Sequence, residues 1–235
     1  RTGINSPLDT SSLPALTDKD RQALADIGVL SPDFVAISYV RHERDIAEAR
    51  TLTDCQLIAK IEKQQALERL DAIVEASDAI MVARGDLGVE IPIERVPAMQ
   101  KRIIRTANRA GRPVITATQM LVSMVTTPLP TRAEVTDVAN AVLDGTDAVM
   151  LSEETAVGHD PVSAVKMMIR LLVETEPLLQ PHEGPRRSES MNALAHAAAG
   201  LAEDLGAAAI VVPTRTGVSA QKLAAGILPR PQIVH

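Results

Sequence analysis

Short apolar runs alternate with stretches of helical periodicity along most of the chain. The runs are Phe34–Ser38, Gln56–Ile61, Ala79–Ala83, Pro113–Ala117 and Asp147–Leu151. Each is brief, nearly continuous in apolarity and rich in β-branched residues or alanine, which fits parallel strands buried on both faces. Between them the apolar positions recur every three or four residues. Ala66, Leu67, Leu70, Ile73 and Val74 give Gln64–Glu75 one helical stripe. Val96–Ala110, Glu134–Leu143 and Pro161–Glu174 read the same way, and Thr17-Asp18-Lys19-Asp20 reads as a helix start before Arg21–Ile27.

Five strand–helix units in a row predict a doubly wound sheet or a (β/α)8 barrel. The polar residues favour the barrel. Arg41-His42, Lys60-Ile61-Glu62, Arg84-Gly85-Asp86, Thr116-Ala117-Thr118-Gln119 and Ser152-Glu153-Glu154-Thr155 all fall at carboxyl ends of the expected strands, where barrels gather their active groups. The expected fold class is therefore α/β: a partial TIM-type barrel over residues 1–179, holding the last five βα units. Pro177 and Pro181-His182-Glu183-Gly184-Pro185 read as a linker. From residue 180 to 235 the pattern predicts the start of an incomplete α/β C-terminal domain. Its expected parts are an Ala-rich helix (Ser190–Leu205), a strand (Ala208–Val212), a Thr/Gly loop (Thr214–Ser219), a further helix and a strand at Gln232–Val234. The start at Arg1 without Met, and the stop within an apparent strand, suggest a piece of a longer polypeptide.

The same alternation supplies the first candidate site. Lys60 and Glu62 project to one side of their strand. Asp86 follows the next strand, and neighbouring strands lie roughly 5 Å apart. Glu62 and Asp86 thus form a candidate pair for one divalent cation, leaving positions for water and substrate oxygens as Mg2+ or Mn2+ prefers. Lys60 beside them would offset charge on a phosphoryl group or an enolate. Gly85 and Gly88 would let backbone approach a ligand. The competing reading is a plain Lys–Glu ion pair and a glycine turn capping a helix. Thr118 is a candidate proton donor or carboxylate ligand, against a helix cap. Ser152, Glu154 and Thr155 divide the same way. Thr214, Arg215, Thr216, Gly217 and Ser219 form a loop suited to a phosphate at a helix start, or a simple turn.

Composition narrows the partners. Phe34 and Tyr39 are the only aromatics among 235 residues, so stacking sites for sugars or bases are not expected. A net charge of −6, with 24 basic and 30 acidic residues, argues against nucleic acid. No apolar run reaches membrane-spanning length. Cys55 stands alone, so no internal disulfide forms, which suits a reducing cytoplasm. His42, His159, His182, His196 and His235 lack metal-ligand spacing. Met120 and Met124, at helical spacing, read as packing residues.

Several of these segments, in order, resemble the pyruvate kinase family. They are Ser12–Thr17, Lys60-Ile61-Glu62, Met81–Gly88, Ala117–Leu121, Pro130-Thr131-Arg132-Ala133-Glu134 and Asp137–Gly145. The resemblance covers nearly the whole chain. It implies phosphoryl transfer from phosphoenolpyruvate to ADP, giving pyruvate and ATP, with Mg2+ or Mn2+ and usually K+. By resemblance Glu62 and Asp86 hold the divalent ion, and Lys60 stabilises the phosphoryl group and enolate. The Gly85 and Asp86 backbone and Thr118 hold the substrate carboxylate. Thr118, Ser152 and Glu154 match the region that protonates the enolate. Pro130-Thr131-Arg132 matches a subunit contact, implying a homo-oligomer, a tetramer in the family. Thr214–Ser219 resembles an effector-phosphate loop.

Lys63 and Glu153 depart from the family pattern, where Asn and Gly are common, and so does Gly226-Ile227-Leu228-Pro229-Arg230. In the family, three earlier strands supply an Arg, the K+ ligands and further phosphate contacts, and a lid closes over the nucleotide. Arg1–Asn5 resembles the return from that lid. The chain alone is therefore expected to be inactive. The alternatives are a non-catalytic homologue with a metal-binding or regulatory role, and a related barrel lyase or aldolase. The subunit-contact and linker segments disfavour the last.

Overall fold

The computed structural model describes residues 16–28, 30–179, 190–215, 217, 219, 220, 223 and 232–234. The expected features at Arg1–Asn5, Ser12–Ala15, Pro181–Pro185, Thr216 and Gly226–Arg230 lie outside these residues. Five parallel strands form one sheet: β1 (Phe34–Ile37), β2 (Gln56–Ile61), β3 (Ala79–Ala83), β4 (Val114–Ala117) and β5 (Ala148–Met150). They lie in sequence order, without the reversal that marks a doubly wound sheet.

Register pairs Ile58 with Ala79, Lys60 with Met81, Ala83 with Ala117 and Ala117 with Met150. Alternation then sorts the strands into two faces. Leu57, Ala59, Ile61, Ile80, Val82 and Val114 are buried in the main core, together with Ile73 and Val74 of α4 (Leu70–Ala76) and Ile103 and Ile104 of α6 (Val96–Ala110). On the other face Ile58, Ala79, Met81 and Ala117 form a second, smaller apolar cluster. Lys60 shares that face, so its ammonium is carried along the side away from the helices.

Helix α6 matches its expected span, and its apolar stripe explains why. Ile103, Ile104 and Ala107 are fully buried. Each large side chain so buried contributes about 1.5–3 kcal/mol. Gly111 ends the helix at φ 68, the left-handed conformation that glycine adopts freely.

Three features differ from expectation. The single helix at Gln64–Glu75 is two pieces, α3 (Gln64–Glu68) and α4, because Arg69 leaves helical dihedrals at φ −110, ψ 19. Arg69 there directs its guanidinium onto the Glu43 carboxylate. Glu43 opens α2 (Glu43–Arg50), a helix whose polar sequence gave no clear stripe. Arg84-Gly85-Asp86 starts the short helix α5 (Arg84–Glu90) directly after β3. The remaining helices of this part are α1 (Asp18–Gly28), α7 (Arg132–Leu143), α8 (Glu153–Ala156) and α9 (Pro161–Thr175).

Beyond residue 189, α10 (Ser190–Asp204) precedes β6 (Ala209–Val211), which pairs in parallel with β7 (Gln232–Val234). Ala195, Ala198, Ala199, Ile210, Val212 and Leu223 form a separate apolar cluster. No described helix is long and apolar enough to cross a membrane.

Candidate functional site

The carboxyl ends of β1, β2 and β3 bring Ser38, Tyr39, Lys60, Glu62 and Asp86 together. Lys60 Nζ donates to Ser38 Oγ at 2.9 Å and lies 2.6 Å from Glu62 Oε1. Glu62 is fully buried. Its Oε2 accepts from the Tyr39 backbone N–H at 2.7 Å, whereas Oε1 has the Lys60 charge nearby but no aligned donor. Burial pushes the Glu62 pKa above the ordinary carboxylate range. Lys60 and the Tyr39 N–H oppose that rise, and the negative charge of Asp86 adds to it. The two carboxylates therefore feel one another across the β2–β3 rim.

This arrangement fits a divalent cation. Burying the Glu62 charge beside Asp86 is costly, and a cation would relieve both the burial cost and the repulsion from Asp86. Among the described residues, no group of three or more His, Cys, Asp or Glu side chains converges on a point. Mg2+ does not need one, since it is usually bound through one or two carboxylates with water and substrate oxygens completing the shell.

Tyr39 was not singled out by the sequence, yet it is central to this rim. Its backbone is left-handed at φ 56, which costs a bulky residue about 1–3 kcal/mol. Its ring lies 5.5 Å from Lys63 Nζ, and Lys63 in turn donates to Glu90 Oε1 at 2.6 Å. Burial and the charges of Asp86, Glu62 and Glu90 raise the Tyr39 pKa.

At the β4 exit, Thr118 and Gln119 are both left-handed, at φ 70 and 54. Arg84 holds them. Its Nη2 donates to the Thr118 carbonyl at 2.7 Å, while its Nη1 lies 2.6 Å from Asp137 Oδ2 on α7. Arg84 had no assigned role in the sequence, where it read only as part of a glycine turn. Gly85 N–H donates to Thr118 Oγ1 at 2.8 Å, so the hydroxyl accepts there and keeps its own proton for donation. A Cβ added at Gly85 would lie 3.5 Å from Thr118 Oγ1, an ordinary contact, but one at Gly88 would lie 3.1 Å from Ile93 Cδ1. The Gly88 contact is tight but meets the free end of a largely exposed Ile93 side chain.

At the β5 exit, Glu154 is buried and both of its oxygens accept from backbone. Leu121 N–H donates to Oε1 at 2.9 Å and Ser152 N–H to Oε2 at 2.7 Å. Glu154 therefore ties the β4 and β5 exits together. Ser152 is half-buried at the same exit, and Glu153 is exposed. Gly158, to which the sequence pattern gave no role, has no room for a side chain, since a Cβ would lie 2.2 Å from the Glu154 carbonyl oxygen.

Thr131 caps α7 in a reciprocal capping box with Glu134. Glu134 also accepts from Ser123 N–H at 2.7 Å. Burial works against its ionisation, but the Ser123 and Thr131 hydrogen bonds outweigh that and hold its pKa below the usual range. In the later loop, Gly217 N–H donates to Thr214 Oγ1 at 3.0 Å, with Gly217 at φ 80. Arg215 and Ser219 flank this turn, and Thr216 is outside the described residues.

The family model described as "Pyruvate kinase, barrel domain" matches residues 1–165. The chain belongs to the pyruvate kinase family. "Pyruvate kinase 2" of Synechocystis is 50% identical over 229 residues, covering 93% of this chain and 38% of that protein. "Pyruvate kinase" of Agrobacterium vitis is 48% identical over 231 residues, covering 95% and 48% respectively. "Pyruvate kinase" of Geobacillus stearothermophilus is 48% identical over 239 residues, covering 95% and 40%. The chain thus spans between 38% and 48% of the length of these three pyruvate kinase relatives.

Proposed function

We propose that the protein containing this chain transfers a phosphoryl group from phosphoenolpyruvate to ADP, giving pyruvate and ATP in the last step of glycolysis. The observation that carries this reading is the buried Glu62 carboxylate, paired with the Lys60 ammonium at 2.6 Å and set against the charge of Asp86. In a family of this name, that arrangement suits a small, highly anionic substrate.

Glu62 and Asp86 would hold Mg2+ or Mn2+, which when bound draws negative charge from phosphoryl and carboxylate oxygens. Lys60, tethered by Ser38, keeps an ammonium at the rim and stabilises charge as it passes from the phosphoryl group to the enolate oxygen. Thr118, fixed by Arg84 and Gly85, donates a hydrogen bond to the substrate carboxylate, or passes its hydroxyl proton to the enolate carbon and regains one from solvent. Gly85 and Asp86 supply backbone beside that carboxylate. Ser152 completes this side, and Glu154 acts through the Leu121 and Ser152 N–H groups that it holds.

Several wider readings follow from membership of the family. The in-order parallel strands form an arc of a (β/α)8 barrel over residues 1–179, and residues 180–235 begin an α/β C-terminal domain. Thr131 and Arg132 sit in a self-association surface of a cytoplasmic homo-oligomer. Thr214–Ser219 receives a phosphate-bearing effector. The full-length protein also uses K+.

The test is pyruvate formation from phosphoenolpyruvate by the full-length protein, with ADP and Mg2+. ADP-dependent turnover that disappears on chelation of the metal is expected. No turnover under those conditions would overturn the reading. The 235-residue chain assayed alone is expected to be inactive, because it spans only 38% to 48% of the length of its pyruvate kinase relatives.

A further inference from the structure

Nothing local favours a left-handed backbone at Tyr39. Ser38-Tyr39-Val40 contains neither Gly nor Asn, the residues that visit this region readily. A strained conformation persists only where its surroundings fix it. Two contacts do so here. The Tyr39 N–H donates to Glu62 Oε2 at 2.7 Å. The Tyr39 ring lies 5.5 Å from Lys63 Nζ, within range of a cation–π attraction. Lys63 is itself immobilised, since it is buried and held by Glu90 at 2.6 Å. These groups come from three places: the end of β1, the residues just after β2, and the last turn of α5.

We propose that Tyr39 is a positioning residue for Glu62. The Lys63–Glu90 pair pins the ring, the pinned ring keeps the backbone left-handed, and the N–H so aimed fixes Oε2, leaving Oε1 as the oxygen for the cation. This rests on the reading of Glu62 as a cation ligand. Partners that orient a metal ligand in this way typically contribute 10- to 100-fold in metal affinity. Without the ring, the segment relaxes to φ < 0, the N–H leaves Glu62, and Oε2 loses the donor that fixes the orientation of the carboxylate.

The test is Mn2+ affinity of the full-length protein without substrate, read from the free Mn2+ electron paramagnetic resonance signal. Tyr39→Phe keeps the ring and should bind within about 2-fold of the wild type. Tyr39→Gly loses the ring but adopts positive φ without strain, so its affinity should fall by only about 3-fold. Tyr39→Ala loses the ring and keeps the strain, so its affinity should fall by about 10-fold or more. A merely structural role gives the same order in stability, because alanine at positive φ is strained and glycine is not, so the affinities are compared under conditions where both variants are fully folded. Denaturation midpoints measured on the same variants set those conditions.

Equal affinity for the Ala and Gly variants, or tighter binding by Ala, overturns the inference. Glu62→Gln separates the two levels of the argument. If Glu62→Gln binds Mn2+ weakly while Tyr39→Ala binds normally, only the positioning role fails. If Glu62→Gln binds like the wild type, the cation reading fails and the inference falls with it.

Discussion

Two buried glutamates, Glu62 after β2 and Glu154 after β5, face opposite situations at the same edge of one sheet. Glu154 gives both oxygens to backbone N–H groups, those of Leu121 and Ser152. Glu62 gives one oxygen to the Tyr39 N–H and leaves the other beside the Lys60 ammonium without an aligned donor. Burial raises the Glu62 pKa. The difference separates two uses of a buried carboxylate. One is satisfied by the fold and holds two loops together. The other is held by one backbone N–H and a side-chain ammonium, beside a second acidic group. Only the second has something to give a cation.

The largest expected effect lies on the Glu62 side. Lys60→Met in the full-length protein should lower turnover by at least about 10²–10³-fold, the scale of losing one charge-stabilising donor. Mn2+ affinity should stay within a few-fold. Near-normal turnover would remove Lys60 from its role.

On the Glu154 side the expected loss is in stability. Glu154→Gln places an amide group against one of two buried N–H donors, a cost of about 1–3 kcal/mol. A denaturation midpoint unchanged from the wild type would show that the brace is weak. Two glycines sharpen the same division. A side chain at Gly158 collides with the Glu154 carbonyl, so Gly158→Ala should cost about 1–3 kcal/mol as the loop shifts. Gly85→Ala meets Thr118 at an ordinary contact distance and should change stability by less than about 0.5 kcal/mol. A Gly85→Ala protein that folds normally but binds substrate poorly would place that glycine at the ligand.

The smallest effect concerns pH. Glu134 has a depressed pKa in the fold, so it favours the folded state fully above the ordinary carboxylate range. That contribution is lost as pH falls through its depressed value. Glu134→Gln should therefore flatten the acid limb of stability from the ordinary carboxylate range downward, and lower stability near neutrality. An unchanged acid limb would mean that other carboxylates set it.

The strands were legible in the sequence because a continuous apolar run between two helical stripes is the pattern that a strand buried on both faces requires. All five strands of the main sheet fall within the expected runs, but only β2, β3 and β4 are largely buried; β1 and β5, the outer described strands, are mostly exposed or half-buried. Helix α6 was equally plain, since its stripe and closing Gly111 agree. Helix α2 was not, because Glu43, Arg44, Asp45 and Glu48 obscure the stripe that Ile46 and Ala49 supply. Helix α5 hid behind Gly85 and Gly88, which read as a turn. In the site, Lys60 and Glu62 were legible from alternation and Asp86 from its place after the next strand. Tyr39, Arg84 and the bracing of Glu154 were not. Each acts through a backbone N–H or carbonyl distant in sequence, and no spacing rule reveals such a partner. Composition gave Tyr39 no role, because a cation–π contact with a lysine from another strand exit leaves no mark in residue counts.

The most direct test of the account is a Mn2+ titration of the full-length protein, followed by electron paramagnetic resonance, comparing Glu62→Gln with Glu154→Gln. The account predicts that Glu62→Gln weakens binding by about 100-fold or more, while Glu154→Gln stays within about 3-fold of the wild type. Wild-type affinity in Glu62→Gln, or an equal loss in both variants, would contradict it.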